Sequence, residues 1–328
     1  MMHTLPLPNG QCLHGDESAG ALHLQLDLHE PISVHLQAGE PLQVMASEAL
    51  SAQALWVVAY WLFARDETCQ LLNWTLPAVA VDALQSGLLV SDANGLLTSA
   101  RSTFWQIAEP WLLGGQGAVY PQQMVISDGK RHPRRPAKPA GELYRRFDAR
   151  LGSWISLRAL DIDSDLQRFN RWQNSPRVLE FWQEGGTLEQ HRQYLEKLER
   201  DPHTLTLIGC FDEQPFAYFE AYWAKEDRIA PFYAADNYDR GIHMLVGEDS
   251  HRGPHKVASW LTALTHFLFL DDPRTQLVVA EPRADNARMI EHMHRAGFHC
   301  QKEFDFPHKR AALMAIARER FFDRCSLR

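Results

Sequence analysis

The segment from residue 239 to residue 306 carries residue types that could bind an anion and act on a nitrogen nucleophile. Alternation over Asp239–Glu248 predicts a strand, and Pro254 suits the first position of the helix that follows. The unpaired N–H groups and the dipole of such a helix end favour negative charge, which makes the turn before it a site for pyrophosphate. An ordinary strand-to-helix turn is the alternative. The predicted cradle consists of Arg252, Gly253, Pro254, His255 and Lys256.

His243 lies on the predicted strand and shares one face with Leu245 and Gly247. An imidazole that titrates near neutral pH suits a general base or a group that orients an acceptor. The alternative is a core histidine that bonds a backbone carbonyl. His243 is therefore the first candidate for catalysis.

Two carboxylates follow the next predicted strand, Gln276–Ala280. Glu281 ends that strand at its carboxyl edge, where ligand sites of α/β sheets lie. Asp285 heads the last long helix, so it is either an N-cap or a carboxylate that binds the acceptor.

Four further residues are candidates for an acceptor pocket. Phe181 and Trp182 could form its wall, although aromatic core packing explains them equally well. Lys309 and Arg310 lie in the last predicted hairpin, where they could pair with the carboxylate of an amino acid or face solvent.

The elements that must position these residues fill the second half of the chain. From residue 151 their order is strand, two helices, three strands, helix, strand, helix and two strands, with an aromatic loop at Val178–Trp182. Proline and basic residues over 127–150 predict a linker. Residues 1–126 alternate strands and helices, so the fold class is α/β or α+β.

The first 126 residues show no chemical constellation, and a structural or dimerising role is expected for them. Alternation predicts strands at Ala21–Leu28 and Ile32–Gln37. Ser47–Ala64 is predicted as a helix with Ser47 as its N-cap. Ser102–Ala108, with adjacent aromatic residues, is predicted as a strand.

Composition and charge narrow the classes of function. The chain has 328 residues, of which 45% are hydrophobic and 23% charged, and a net charge of −8. A soluble two-domain protein without a nucleic-acid partner is expected. No apolar run reaches the length of a membrane span, and the start lacks a signal pattern. The five scattered cysteines favour a reducing compartment, so the cytoplasm is the expected location.

The order of elements, the Arg-Gly turn and the placement of Asn286 before Gly297 resemble the GNAT acyltransferases over roughly residues 151–322. Longer strings resemble the hydroxamate-siderophore branch of that family. With the N-terminal domain and the linker, this resemblance covers most of the chain. The strings are Leu207–Asp212, Trp223–Ile229, Asp239–Gly241, Glu281–Asn286 and Lys302–Arg310.

The resemblance implies a GNAT fold in the C-terminal half, with a central mixed sheet flanked by helices, preceded by a domain that could be a degenerate GNAT-like unit. It also implies a reaction. Acetyl-CoA would acetylate the hydroxylamine nitrogen of N(6)-hydroxylysine, as in the aerobactin pathway, to give a hydroxamate for iron acquisition.

Roles for particular residues follow from the same resemblance. A backbone N–H near Leu245 or Val246 would hold the oxyanion, and Asn286 would contact the coenzyme. His243 would act as the base with help from Asp285. A substituted hydroxylamine is largely neutral at pH 7, so a mild base suffices.

Two features depart from the general GNAT pattern. His255 and Val257 stand where the turn usually has glycine or another small residue. The tyrosine that often acts as general acid falls at Met293, so the leaving thiolate would take its proton from another source, such as solvent.

Several alternatives stay open. Within the class, N-hydroxyornithine or N-hydroxycadaverine could be the acceptor and succinyl-CoA the donor. Two alternatives lie outside the class of acyltransferases, namely a non-catalytic acyl-CoA-binding scaffold and a metal-dependent hydrolase. The sixteen histidines lack zinc-ligand spacing, so no metal is expected. A homodimer is also left open.

Overall fold

The computed structural model describes residues 3–27, 29–113, 120–324 and 327. Within these residues the chain divides into two compact units. Of the described residues, unit 1 takes those up to 111, together with 146–153, 322–324 and 327, and unit 2 takes those from 112 to 145 and 154–321. No helix among the described residues is long and apolar enough to cross a bilayer.

Unit 1 is organised around one sheet with the strand order β1-β2-β3-β4-β5-β6-β8-β7. β5 and β6 run parallel, joined by helix α1, and the other neighbouring strands run antiparallel. The elements are β1 (His3–Pro6), β2 (Cys12–Ser18), β3 (Ala21–Leu26), β4 (Ile32–Gln37), β5 (Leu42–Met45), α1 (Ala52–Arg65), β6 (Leu71–Thr75), α2 (Val81–Gln85), β7 (Val90–Ser91), β8 (Leu97–Ala100) and α3 (Arg101–Phe104).

The structure confirms the two strands predicted near the start of unit 1, and Leu28 lies outside the described residues. The predicted cap at Ser47 is wrong. Helix α1 begins after Ser51, whose hydroxyl accepts a hydrogen bond from the Ala54 amide at 3.1 Å. The strand predicted at Ser102–Ala108 is also wrong. The residues Arg101–Phe104 form helix α3 directly after strand β8, and Phe104 and Trp105 are both buried.

Unit 2 contains a small hairpin and most of a larger sheet with the order β11-β12-β13-β14-β15-β16-β18-β17, whose residues 146–148 and 153 cluster with unit 1, as do residues 322–324 at the end of the last helix. β15 and β16 run parallel, joined by helix α7. The elements are β9 (Met124–Ser127), β10 (Lys130–Pro133), β11 (Glu142–Asp148), β12 (Ser153–Ala159), α4 (Ile162–Gln173), α5 (Pro176–Trp182), α6 (Leu188–Arg200), β13 (Thr204–Phe211), β14 (Gln214–Trp223), β15 (Arg240–Val246), α7 (Pro254–Asp271), β16 (Leu277–Ala280), α8 (Ala287–Arg295), β17 (His299–Asp305), β18 (Arg310–Ala317) and α9 (Arg318–Arg324).

The aromatic loop predicted at Val178–Trp182 is wrong, because this stretch forms helix α5. Pro176 occupies the first turn, where its missing N–H costs nothing, and Gln183 ends the helix in the left-handed conformation. The segment expected to be a linker, 127–150, contains β10 and β11. The other elements predicted in this half are present within a few residues of their expected ends.

The two large sheets have the same topology. In each, five strands follow in chain order, a helix crosses over to a sixth parallel strand, and a closing hairpin adds its second strand beside the sixth. Unit 2 differs by the helices α4, α5 and α6 between its second and third strands. The matching strand order supports the expectation that unit 1 is a degenerate copy of the unit 2 fold.

Packing beneath helix α4 fixes the end of β15, where the candidate turn begins. Trp172 of α4 lies directly over Gly247, and a Cβ added there would be 2.1 Å from the indole ring. Leu245 belongs to the same buried cluster as Trp172 and Tyr218. Only glycine at residue 247 lets the turn approach the helix this closely.

Candidate active site

The centre of the site is a cross-strand pair on β14 and β15. These strands run antiparallel with Glu220 opposite His243, so the two side chains emerge on the same face of the sheet. Tyr218 and Tyr222, two residues to either side of Glu220 on β14, share this face. The sequence therefore places one histidine, one carboxylate and two phenols side by side.

His243 lies between two carboxylates. Its Nδ1 is 2.7 Å from Glu220 Oε2, and its Nε2 is 2.5 Å from Glu281 Oε1. Glu281 follows the end of β16, the strand on the other side of β15. The Glu281 side chain is fully buried, whereas that of His243 is 19% exposed. His243 is thus the member of this trio that an entering molecule meets.

Phenol groups hold both carboxylates in place. Glu220 Oε1 accepts hydrogen bonds from Tyr194 at 2.5 Å and Tyr218 at 2.8 Å, and Glu281 Oε2 accepts one from Tyr222 at 2.7 Å. Burial, followed by the charge of the neighbouring carboxylate, raises the pKa of each tyrosine. The hydroxyls therefore stay protonated and act as fixed donors.

These contacts set the charge state of the trio. Burial alone would lower the pKa of His243, but Glu281 and Glu220 raise it to about 10. Burial would raise the pKa of each glutamate, and the imidazole with the hydroxyl donors lowers it instead. His243 is accordingly an imidazolium at neutral pH. The predicted role of His243 as the base then requires that the imidazolium pass its own proton to one of its carboxylate partners.

Gly241 explains how Tyr222 reaches Glu281. A Cβ on Gly241 would lie 2.0 Å from the Tyr222 ring, so the ring packs directly against the backbone of this glycine. The phenol ring also lies beside the His243 ring, with centroids 4.7 Å apart and the planes tilted by 41°.

The parallel pair β15–β16 opens beside this trio. Its ladder contains only Arg240↔Val278 and Gly241↔Val279. The Gly247 amide donates to Phe216 on β14, so alternation directs the Leu245 amide toward β14 and the Val246 amide toward the opening. Of the two predicted oxyanion donors, Val246 has the suitable direction and Leu245 does not.

The turn after β15 forms an open helix end. Gly253 is the N-cap of α7 with φ +123°, no side chain caps the helix, and Pro254 follows. Val257 donates to the Gly253 carbonyl, while the amides of His255 and Lys256 precede the first helical hydrogen bond. Arg252 contacts Asp249 at 3.4 Å, and Lys256 reaches the Ser250 carbonyl at 3.1 Å. The predicted cradle is therefore assembled as a turn with two cations at its rim.

The structure does not bring Asp285 to His243. Its carboxylate pairs with Arg283 at 2.6 Å, and its side chain is 63% exposed. Nor is Asp285 the N-cap of α8, because Asn286 holds that position and accepts from the Met289 amide at 3.2 Å. Of the two carboxylates predicted from the sequence, Glu281 is the one that contacts His243.

Of the four residues predicted for the acceptor pocket, Trp182 and Lys309 lie at the site, and Phe181 and Arg310 do not. Trp182 lies at the site, with its ring centroid 6.3 Å from that of His243, whereas Phe181 is exposed. Lys309 donates to the Glu281 carbonyl at 2.7 Å. Arg310 points elsewhere and pairs with Glu303 at 2.9 Å, so it is not part of the site.

Sequence reasoning missed Glu220 and Arg228. Glu220 is the single charged residue in the apolar run Phe216–Trp223, and a lone charge in a buried strand is a signal for a buried partner. Arg228 lies in the loop between β14 and β15, and its Nη2 is 3.5 Å from both His243 Nε2 and Glu281 Oε1. A loop arginine carries no comparable signal.

Comparisons with known proteins agree with this architecture. A family profile described as "Acetyltransferase (GNAT) domain" matches residues 161–306. A crystal structure of an uncharacterised protein from Bacillus halodurans superimposes with a TM-score of 0.55 and 29% identity, covering 58% of this chain and 96% of that one.

Two curated relatives match over most of their lengths. A Schizosaccharomyces pombe protein, provisionally named as a lysine N-acyltransferase, is 43% identical over 82% of this chain and 80% of its own. The N(6)-hydroxylysine O-acetyltransferase of Escherichia coli is 46% identical over 69% of this chain and 72% of its own.

The fold and the open β15–β16 pair define a GNAT acyltransferase domain. The chain belongs to the GNAT acyltransferases, in the group that contains these hydroxylysine and lysine acyltransferases.

Proposed function

We propose that this protein transfers an acetyl group from acetyl-CoA to the hydroxylamine nitrogen of N(6)-hydroxylysine, giving a hydroxamate for siderophore synthesis. The observation that carries the proposal is the imidazole ring of His243, held between Glu220 and Glu281 beside the opened strands. Support for the acceptor comes from the Escherichia coli relative, whose name contains the same hydroxylated amino acid.

The binding of coenzyme A is assigned to the turn and the opening. The first-turn amides of α7 and the side chains of Arg252 and Lys256 hold the pyrophosphate. The thioester carbonyl lies between β15 and β16, where the Val246 N–H stabilises the developing oxyanion by about 3 kcal/mol. Fixing both reactants in this geometry supplies a further large part of the acceleration.

The chemical step forms one C–N bond and breaks one C–S bond. The neutral hydroxylamine nitrogen attacks the thioester carbon. As the nitrogen loses its proton to His243 Nε2, the proton already on Nε2 moves to Glu281 Oε1, so the His243–Glu281 pair gains one proton in all. A carboxylate suffices because the nitrogen becomes strongly acidic as it bonds to the carbonyl carbon. Coenzyme A leaves as the thiolate and takes a proton from solvent.

A thiol-release assay tests the proposal. The donors are acetyl-CoA and succinyl-CoA, and the acceptors are N(6)-hydroxylysine, N-hydroxyornithine, N-hydroxycadaverine and unmodified lysine. Acetyl-CoA with N(6)-hydroxylysine should give the highest kcat/KM, and lysine, which is protonated at neutral pH, should react far more slowly. Preference for lysine would contradict the proposal.

Gly253→Ala should weaken the binding of acetyl-CoA. At φ +123° an alanine is strained by about 1–3 kcal/mol. Its Cβ would also lie 3.0 Å from the His255 ring, which would have to move aside. Relief of the backbone strain would shift the first-turn amides. KM for acetyl-CoA should rise roughly tenfold, with KM for the acceptor unchanged. Gly129→Ala is the matched control, since Gly129 also has positive φ but meets nothing within 4 Å.

A further inference from the structure

We infer that Arg228 and Lys309 form a carboxylate-binding end of the acceptor pocket, which makes the enzyme select hydroxylated amino acids over hydroxylated diamines. This inference rests on the proposed function and assigns the part of the acceptor that does not react. The sequence predicted Lys309 and Arg310 as partners of the carboxylate. Here Arg228 takes the place of Arg310 as the second partner.

The two cations converge on one aromatic ring beside the reacting groups. The guanidinium carbon of Arg228 lies 5.4 Å from the Phe306 centroid, and Lys309 Nζ lies 5.6 Å from the same centroid. The ring of His308, which is exposed, stacks on Phe306 at 5.5 Å. Because Arg228 also touches His243 and Glu281, the cluster extends from the reacting groups to the surface.

The cluster retains unused donor capacity. Among the described residues, the guanidinium of Arg228 makes contacts of 3.5 Å only, and its side chain is 50% exposed. Glu281, its nearest carboxylate, is already bonded to the imidazolium and to Tyr222. Arg228, Lys309 and His308 all approach the Phe306 ring, so the three side chains surround one region. An anionic group of the acceptor would satisfy these donors.

An amino-acid acceptor presents such a group. N(6)-hydroxylysine and N-hydroxycadaverine share the reacting hydroxylamine and the carbon chain, and they differ by the α-carboxylate. With the nitrogen at His243 and Glu281, the chain of the amino acid leads outward past Phe306, and its carboxylate meets Arg228 and Lys309. The diamine has no carboxylate to pair with the two cations. A pocket built to bind that carboxylate therefore discriminates against the diamine.

The test compares kcat/KM for these two acceptors in the wild type and in Arg228→Gln, Lys309→Met and Arg310→Gln. The wild type should prefer the amino acid by roughly 10- to 100-fold, the size expected for charge-assisted hydrogen bonds. Arg228→Gln and Lys309→Met should lose most of that preference through a rise in KM for the amino acid. Any loss of diamine turnover in these two variants should be roughly tenfold smaller than the loss with the amino acid. A melting temperature close to that of the wild type reports that each variant is folded. Arg310→Gln should match the wild type.

Three contrary results of this comparison would lead to different conclusions. An equal loss on both acceptors would overturn the inference, because the residues would then act on the reacting groups. Equal use of both acceptors by the wild type would also overturn it, while leaving acyl transfer to hydroxylamines intact. If the wild type acylates neither compound, the proposed function itself fails.

Discussion

Glu281→Gln should lower kcat by about 10²- to 10⁴-fold, the usual contribution of a positioned proton acceptor. The glutamine keeps the size of the side chain but cannot accept the proton that the imidazolium 2.5 Å away passes on, or balance its charge. Binding of acetyl-CoA should be unchanged, since Glu281 lies apart from the α7 turn that is assigned to the pyrophosphate. Single-turnover kinetics and calorimetric titration with coenzyme A measure the two quantities.

Asp285→Asn is the matched control for this prediction. The same chemical change is made four residues further along the chain, on a carboxylate that pairs with Arg283 and faces solvent. Its kcat should stay within about twofold of the wild type. Should Asp285→Asn lose activity as strongly as Glu281→Gln, or should Glu281→Gln remain active, the assignment of the acceptor carboxylate is wrong.

Glu220→Gln should destabilise the protein by about 3 kcal/mol near pH 6, because it removes one partner of a buried charged group. The size of this loss of stability also depends on pH. The folded pKa of His243, about 10, lies above its usual 6.5, so the stabilisation from its pairing is complete below pH 6.5 and is lost as pH rises through 10. The lowered pKa values of both glutamates give stability above about 4.5 that is lost on acidification.

The difference in melting temperature between the wild type and Glu220→Gln should therefore be largest between pH 5 and 6.5 and shrink toward pH 10. Tyr194→Phe is the control, since it removes only the hydrogen bond to Glu220. That variant should lose about 1.5 kcal/mol without marked dependence on pH between 5 and 9. A difference for Glu220→Gln that stays constant over the same range would show that His243 is not an imidazolium.

The sequence predicted those parts of the site that local pattern determines. His243 and the Arg-Gly turn lie within one strand–turn–helix unit, whose spacing fixes their relation. Helix α6 begins with a capping box that four consecutive residues encode, in which Thr187 and Gln190 bond reciprocally. The closing helix α8 and hairpin β17–β18 were likewise readable from alternation and glycine positions.

Parts that depend on register between distant strands were not predictable. Glu220 meets His243 only because β14 and β15 pair with that offset, after a loop that no pattern constrains. The choice between Glu281 and Asp285 depends on where β16 ends, and Asp285 was selected through resemblance rather than geometry. Helix α5 was missed since its aromatic residues hide the three- to four-residue period.

Formation of a ferric-binding hydroxamate tests the central claim most directly, because an acyl group on nitrogen gives a hydroxamate and one on oxygen does not. Purified protein is incubated with acetyl-CoA and N(6)-hydroxylysine, and the product is examined by ferric-complex absorbance and mass spectrometry. The account predicts a stoichiometric N-acetyl hydroxamate, formed with release of coenzyme A and greatly slowed in Glu281→Gln. A product acetylated on oxygen, or undiminished hydroxamate formation by Glu281→Gln, would contradict it.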